Sequence, residues 1–395
     1  MSQHTLSADC CIVGGGPAGL MTAYLLARAG LQVVVIEKHA DFLRDFRGDT
    51  IHPSTLEVMH HLGLLEKLLA LPHQRAETLK AEMGGEEVTM ADFSRLPVRC
   101  RFIAFMPQWD FLNFLAGECA AFPGFTLLTS TALSELIVEQ DRVCGVTALR
   151  DGEPLTIRAQ LVIGADGRHS AVRAQAGLTS RSFGAPRDVI WFRLDKQPDD
   201  PVMGSGHAGP RQNFIVIDRG DYWQCGFTIE KGEFEALQRS GLAALKQRIA
   251  AVAPFSAARL EAIDDWSQIR LLLIRIDRLE KWMKPGLLCI GDAAHAMSPI
   301  GGVGVNLAIQ DAVAAANLLT PPLRRGRVTL RDLARVQKRR QFPTVATQFL
   351  QIKMSRKKAG GSGKNPMPGM LRKWPFLRFV FGRLLGIGFR METPR

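Results

Sequence analysis

The chain has 395 residues, 46% of them hydrophobic, enough for two domains and a sizeable buried core. No run reaches about 18 uninterrupted apolar residues, so no spanning helix is expected. The start MSQHTLSAD lacks the basic and apolar regions of a secretory leader. The formal charge of +12 is concentrated: residues 353–395 hold eleven Lys/Arg against Glu392 alone. The body is nearly neutral, so the charge gives no ground for nucleic-acid binding. The seven cysteines are scattered without a CxxC pair, which points to a reduced, cytoplasmic protein.

Residues 9–37 read DCCIVGGGPAGLMTAYLLARAGLQVVVIE. Cys10–Val13 predicts a buried strand, Ala18–Ala29 a helix ended by Gly30, and Leu31–Ile36 a second strand closed by Glu37. Gly14, Gly16 and Gly19 fit G-x-G-x-x-G, with Pro17 in the first helical turn. The first glycine permits the tight turn, the second lets a pyrophosphate approach the backbone, and the third lets helix and strand pack. A carboxylate at Glu37 suits ribose hydroxyls and repels a 2′-phosphate, which favours FAD or NAD over NADP. The unit does not choose between those two. In the following DFRGDTIHPSTLEVMHHLGLLEKL, Ser54 is a candidate cap for a helix to His61, and Arg47 can neutralise a pyrophosphate.

Residues 160–173, QLVIGADGRHSAVR, predict a strand over Leu161–Ile163, a turn through Asp166 and Gly167, and a helix. By itself this is an ordinary strand–turn–helix. Between them and the last motif, DVIWFRLDK (188–196), RQNFIVIDRG (211–220) and DYWQCGFTIE (221–230) alternate as sheet strands, with a hairpin turn at Arg219–Asp221. Glu233–Ala251 reads as helical. Trp191, Arg193, Phe214 and Trp223 are candidate pocket residues. His52 and His207 are weaker candidates. Late in the chain, CIGDAAHAMSPIGGVGVNLAIQDAVAAANLL predicts a strand over Leu287–Ile290, Asp292 at its C-terminal end, and a helix over Asn306–Leu319. Gly301, Gly302 and Gly304 allow that helix start to approach a ligand.

Together these motifs resemble the single-component flavoprotein aromatic hydroxylases of the para-hydroxybenzoate hydroxylase type. The resemblance covers almost the whole chain. GGGPAG with Glu37 is similar to the family's FAD adenosine site, ADGRHSAVR to its Asp-Gly motif, and GDAAHAMSPIGGVGVNLAIQDA to its Gly-Asp motif and flavin-ring loop. It implies an α/β fold: a Rossmann-like FAD-binding domain of the glutathione reductase type, an interleaved and mostly antiparallel substrate sheet, and a helical C-terminus. The expected division is 1–78, 101–180 and 266–350 for FAD, 79–100 and 181–265 for substrate, and 351–395 for a basic tail.

Carried over residue by residue, the resemblance implies that Gly14, Gly16, Pro17, Ala18, Gly19, Glu37, Lys38 and Arg47 hold the adenosine diphosphate half. It places Gly291 and Asp292 on the ribityl chain. Gln108, in MPQWDFLNFLA, starts a helix touching the flavin, and Pro299, Gly302, Gly304, Val305 and Asn306 approach the ring. Asp166 and Gly167 hold the site together and serve FAD and NAD(P)H in turn.

The implied reaction reduces FAD with NAD(P)H as a transient co-substrate. Oxygen is then trapped as a C4a-hydroperoxide, and a small aromatic or polyketide-like substrate is hydroxylated. No metal is expected, and the catalytic side chains are not identified. A ubiquinone-pathway hydroxylase acting on a lipophilic substrate, and fold-related flavin reductases or halogenases, are the alternatives; the halogenase WxWxIP motif is absent from the sequence. The apolar and basic LRKWPFLRFVFGRLLGIGFR (371–390) is expected to pack on the FAD domain, with a membrane-surface anchor as the less favoured reading.

Overall fold

The computed structural model describes residues 4–43, 49–83, 86–198, 200, 207–208, 213–253, 255, 257–359 and 366–395. Its main sheet runs Met283–Lys284, Leu287–Cys289, Glu153–Gly164, His4–Val13, Val33–Ile36, Phe125–Leu128. The last five of these strands are parallel. An antiparallel pair, Arg142–Arg150 and Thr131–Glu139, extends from Glu153–Gly164. Helix Pro17–Arg28 is almost wholly buried against this sheet, and the long, mostly buried helix Val303–Arg324 packs on Pro17–Arg28. Their small residues, Ala18, Gly19, Ala23, Ala308, Ala312 and Ala315, allow that close packing.

The second sheet has seven strands, ordered Arg270–Leu272, Arg187–Asp195, Tyr222–Glu230, Asn213–Asp218, His207–Ala208, Thr78–Met83, Glu86–Asp92. All neighbours are antiparallel except His207–Ala208 with Thr78–Met83. Residues 219–221 form the expected hairpin connection. Helices Phe234–Ser240 and Leu242–Ala250 supply Leu237, Leu245 and Ile249 to the core on one face.

Several boundaries differ from expectation. The helix expected over 233–251 is broken at Gly241, whose φ of 87° ends one helix and starts the next. The late helix begins earlier than Asn306–Leu319 and runs further, continuing through Pro321 and Pro322 to Arg324. The division at residue 351 falls inside the continuous helix Leu330–Ala359. Helix Ile300–Arg324 is apolar and long enough to cross a membrane, but 72% of its apolar window is buried inside the protein. Its apolarity serves the core.

The tail packs on the edge of the second sheet rather than on the main one. Helix Leu377–Gly386 lies against the strand Glu86–Asp92: a Cβ on Gly382 would stand 2.0 Å from the Asp92 carbonyl oxygen. Gly386 faces Leu96, Pro53 and Phe93, and Ile387 is buried with Phe93 and Leu96. Trp374 and Phe376 remain half exposed.

Candidate flavin site

The parallel strands finish in register: Val13 pairs with Gly164 and Ile36, and Gly164 pairs with Cys289. Gly14, Glu37, Asp166 and Asp292 therefore emerge along one edge, the carboxyl end where open α/β sheets bind ligands. A cavity of about 540 Å³ lined by Ser7, Asp9, Arg142 and Arg158 lies towards the opposite end of these strands, away from Gly14, Glu37, Asp166 and Asp292.

The glycines divide by what requires them. A Cβ on Gly14 would lie 2.5 Å from the Ala165 oxygen, and one on Gly19 would lie 1.9 Å from the Gly14 oxygen. The protein's own packing demands both. Among the described residues, a Cβ on Gly16 or Gly304 would meet nothing within 4 Å. Gly16 has φ −76° and ψ −176°, which any residue adopts. Gly304 is the second residue of its helix. Among the described residues packing demands glycine at neither place; Gly16 also suits its position as a helix N-cap, and at both places the missing side chain leaves room for a ligand to approach. The helices starting at Pro17 and Val303 have glycine N-caps, which offer no side-chain cap to their first amides.

Glu37 is held by two backbone amides, Gly15 N–H at 2.9 Å and His39 N–H at 3.1 Å, with exposed Lys38 beside it. Pro17 is half-buried and Ala18 buried, at the start of their helix. Asp166 accepts from the Ser170 hydroxyl at 2.5 Å and the Val172 amide at 3.1 Å, so it fastens the helix Ala171–Gln175. Burial pushes its carboxyl up, against those hydrogen bonds. Gly167 turns the chain at φ 82°. Asp292, a third exposed, lies 3.4 Å from Arg168 Nη2. Arg168 was not singled out from the sequence, although it stands in the same ADGRHS stretch. Arg47 lies outside the described residues.

Gln108 is the first residue of the helix Gln108–Cys119. Its backbone amide donates to Asp49, a residue that sequence reasoning passed over. The Asp49 carboxylate is 2.6 Å from Arg219 Nη2 and accepts from Gln224 Nε2 at 2.9 Å. Both members of the Asp49–Arg219 pair are buried, and burial raises the Asp49 carboxyl while Arg219 works to lower it. This cluster ties the second sheet to the start of the Gln108 helix.

The register of that sheet corrects two pocket candidates. Phe214 and Trp223 point to the face covered by Leu237 and Leu245, and the Trp223 indole donates to Asp200 at 2.6 Å. Trp191 lies on the other face, with Ile215, Ile217, Ile274 and Ile276, its ring flat against Gly226. Arg193 is half exposed and pairs with Asp195 at 2.8 Å, so solvent claims it. His207 sits in a two-residue strand. His52 is buried, with its Nδ1 2.8 Å from the Leu385 carbonyl. Burial pushes its pKa down to about 4.

The glycine-rich loop runs through exposed Pro299 into Gly301 and Gly302, at φ 78° and 64°. A Cβ on Gly302 would stand 2.2 Å from the Thr50 hydroxyl. Val305 and Asn306 follow, both buried. The Asn306 amide oxygen accepts from Ser54 at 2.6 Å and Thr55 at 2.7 Å. Ser54 therefore does not cap its own helix; His52 occupies that position, and the Ser54 hydroxyl binds the two helices together. Gly291, at φ 58°, donates its amide to buried Asp311 at 3.2 Å. His295 Nε2 lies 2.5 Å and Arg340 Nε 2.9 Å from the same carboxylate. Burial raises Asp311, but His295 and Arg340 more than offset that and hold it below the usual range.

A family described as an FAD binding domain matches residues 7–350. The chain belongs to this family. It is 35% identical over 350 residues to 6-methylpretetramide 4-monooxygenase of Streptomyces rimosus, covering 88% of this chain and 84% of that one. It is 29% identical to 3-demethoxyubiquinol 3-hydroxylase of Escherichia coli over 324 residues, 79% of each chain. Its fold matches the crystal structure of p-nitrophenol 4-monooxygenase PnpA from Pseudomonas putida, with a TM-score of 0.76 at 19% identity over 97% of this chain and 94% of that one. The protein is an FAD-dependent monooxygenase of the aromatic hydroxylase family, with NAD(P)H as the reductant. The residues present fit the cofactor: open space at Gly16 and Gly304, two uncapped helix starts, and a fixed carboxylate at Glu37.

Proposed function

We propose that this FAD monooxygenase hydroxylates a fused, phenolic polyketide-type aromatic in the cytoplasm, between the carboxyl edge of the main sheet and the inner face of the second. The alignment of Gly14, Glu37, Asp166 and Asp292 on one edge carries this reading. The likeness to a relative named for a pretetramide substrate, across 84% of that relative, supports the substrate class.

In this arrangement Gly16 and the amides after Pro17 receive the pyrophosphate, with Lys38 beside Glu37, and Glu37 accepts from the adenosine ribose. Asp292 accepts from the ribityl chain and Arg168 orients it. Gln108 and the backbone from Pro299 to Asn306 face the ring, where a helix start stabilises negative charge. Bound FAD, once reduced, supplies the electrons that activate O2.

The chain's own residues do the rest. Trp191, Ile215 and Ile217 present an apolar surface that excludes water from the reacting centre. Arg219 and Gln224, fixed by Asp49, form the polar end. There the guanidinium favours a phenolate oxygen, and an ionised phenol is a more electron-rich ring for oxygen attack.

The test is a substrate panel of simple phenols, quinone precursors and fused polycyclic phenols, read as substrate-stimulated NAD(P)H oxidation with product detected by mass. Polycyclic phenols should give the highest kcat/KM and a product heavier by one oxygen. Product from simple phenols or prenylated quinone precursors alone would overturn the substrate assignment.

A further inference from the structure

The last residues of the chain run back onto the helix that begins at the flavin loop. Glu392 N–H donates to Gln310 Oε1 at 2.5 Å, Asn317 Nδ2 donates to the Thr393 carbonyl at 2.9 Å, and Arg395 N–H donates to Asn317 Oδ1 at 3.1 Å. The Glu392 side chain is 6% exposed. It accepts from Arg339 at 2.7 and 3.1 Å and from Arg340 Nη1 at 3.4 Å. Arg340, 1% exposed, also donates to the Arg390 carbonyl at 3.0 Å and to Asp311 at 2.9 Å. Asp311, fully buried, accepts from His295 and from the amide of Gly291. Gly291 is the residue before Asp292.

The path from Glu392 through Arg340 and Asp311 to Gly291 is thus a continuous set of charge-assisted hydrogen bonds. Two carboxylates face two guanidiniums, so the buried charge is balanced. His295 Nδ1 has no partner among the described residues, so the proton of its ring belongs on Nε2, facing Asp311. Removing the charge on Glu392 leaves Asp311 as the one carboxylate on Arg340 among the described residues, and the pull on Asp311, and through it on Gly291, changes. Apolar packing of the tail would need none of these groups.

We propose that Glu392 is a positioning residue for the flavin: the C-terminal segment is a clasp that sets the Gly291–Asp292 turn and thereby the affinity for the flavin half of FAD. The inference rests on the reading of Asp292 as a ribityl-chain ligand. The adenosine diphosphate half, at Gly16 and Glu37, lies on other elements, and among the described residues it has no hydrogen bond to this network.

That separation supplies the test. Holoenzyme is titrated with ADP, and released flavin is followed by its fluorescence. Half-displacement reports the ratio of FAD affinity to ADP affinity. Glu392→Gln should lower that ratio about tenfold, the effect of about 1.4 kcal/mol, and change the visible spectrum of the bound flavin. Glu392→Asp should restore part of it. Arg339→Gln, at a half-exposed partner, should lower it by a smaller factor and keeps the test open if Glu392→Gln folds poorly. A general loosening of the fold weakens FAD and ADP alike and leaves the ratio unchanged, and that result overturns the clasp. A wild-type protein that holds no FAD overturns the flavin-site reading and the clasp with it.

Discussion

Replacing Gly14 and Gly16 separately should produce opposite defects. A Cβ on Gly14 would enter the contact with Ala165 at 2.5 Å, and φ there is 108°. Backbone strain of roughly 1–3 kcal/mol and overpacking of roughly 1–3 kcal/mol together give roughly 2–6 kcal/mol. At roughly 2 °C per kcal/mol for a large domain, Gly14→Ala should lower Tm by about 4–12 °C.

Gly16 has extended backbone and open space around it. There a side chain reduces unfolded-state entropy, a gain of about 0.4–1 kcal/mol, and loses the preference for glycine at a helix N-cap. The two nearly cancel, so Gly16→Val should leave the Tm of flavin-free protein within about 2 °C. Its side chain nevertheless occupies the approach of the pyrophosphate. FAD affinity should fall at least about 100-fold, roughly 2.7 kcal/mol. Differential scanning fluorimetry of flavin-stripped protein and FAD titration read the two effects. A Gly16→Val protein that binds FAD normally, or that unfolds as early as Gly14→Ala, would refute the reasoning.

Three further outcomes are expected. Asp292→Ala should weaken FAD by about 10- to 150-fold, one charge-assisted hydrogen bond of roughly 1.5–3 kcal/mol, and an unchanged FAD dissociation constant contradicts its role. His52 is neutral in the fold with a pKa of about 4, below its value of 6.5 in the unfolded chain. Its contribution is intact above pH 6.5 and is lost as pH falls towards 4, by up to about 3 kcal/mol. Denaturant titrations at pH 7 and pH 4.5 should show that loss, and His52→Gln should reduce it. Truncation of residues 365–395 should lower Tm by removing Ile387 and Glu392 from their buried places, while the intact protein should not co-sediment with anionic vesicles. Salt-sensitive co-sedimentation that disappears on truncation would contradict the second part.

The dinucleotide unit was legible because its chemistry is local. Three glycines, a β-branched run and Glu37 lie within about 30 residues; Gly14 and Gly19 answer to their own neighbours and Gly16 leaves room for a ligand. The Gly291–Asn306 loop was legible for the same reason. The second sheet was not, beyond its strands and hairpin. Alternation along Arg187–Asp195 and Tyr222–Glu230 separates two faces, but both faces are buried, so period 2 does not say which one meets the site. Trp191 and Trp223 carry the same signal in sequence and point in opposite directions. Asp49 pairs with Arg219 and Gln224 far along the chain, and no spacing announces such a contact. Glu392, read as the lone acid of a basic tail, proves to be buried between two arginines.

The central claim, oxygen transfer by a flavin at this edge, is tested most directly with ¹⁸O2. Purified protein is supplied with NAD(P)H and the best substrate of the panel in an ¹⁸O2 atmosphere, and the product is weighed. The account predicts yellow protein that releases FAD on denaturation, and product carrying one ¹⁸O atom from the gas. Product containing oxygen from water, or reduced product with no oxygen added, would contradict it.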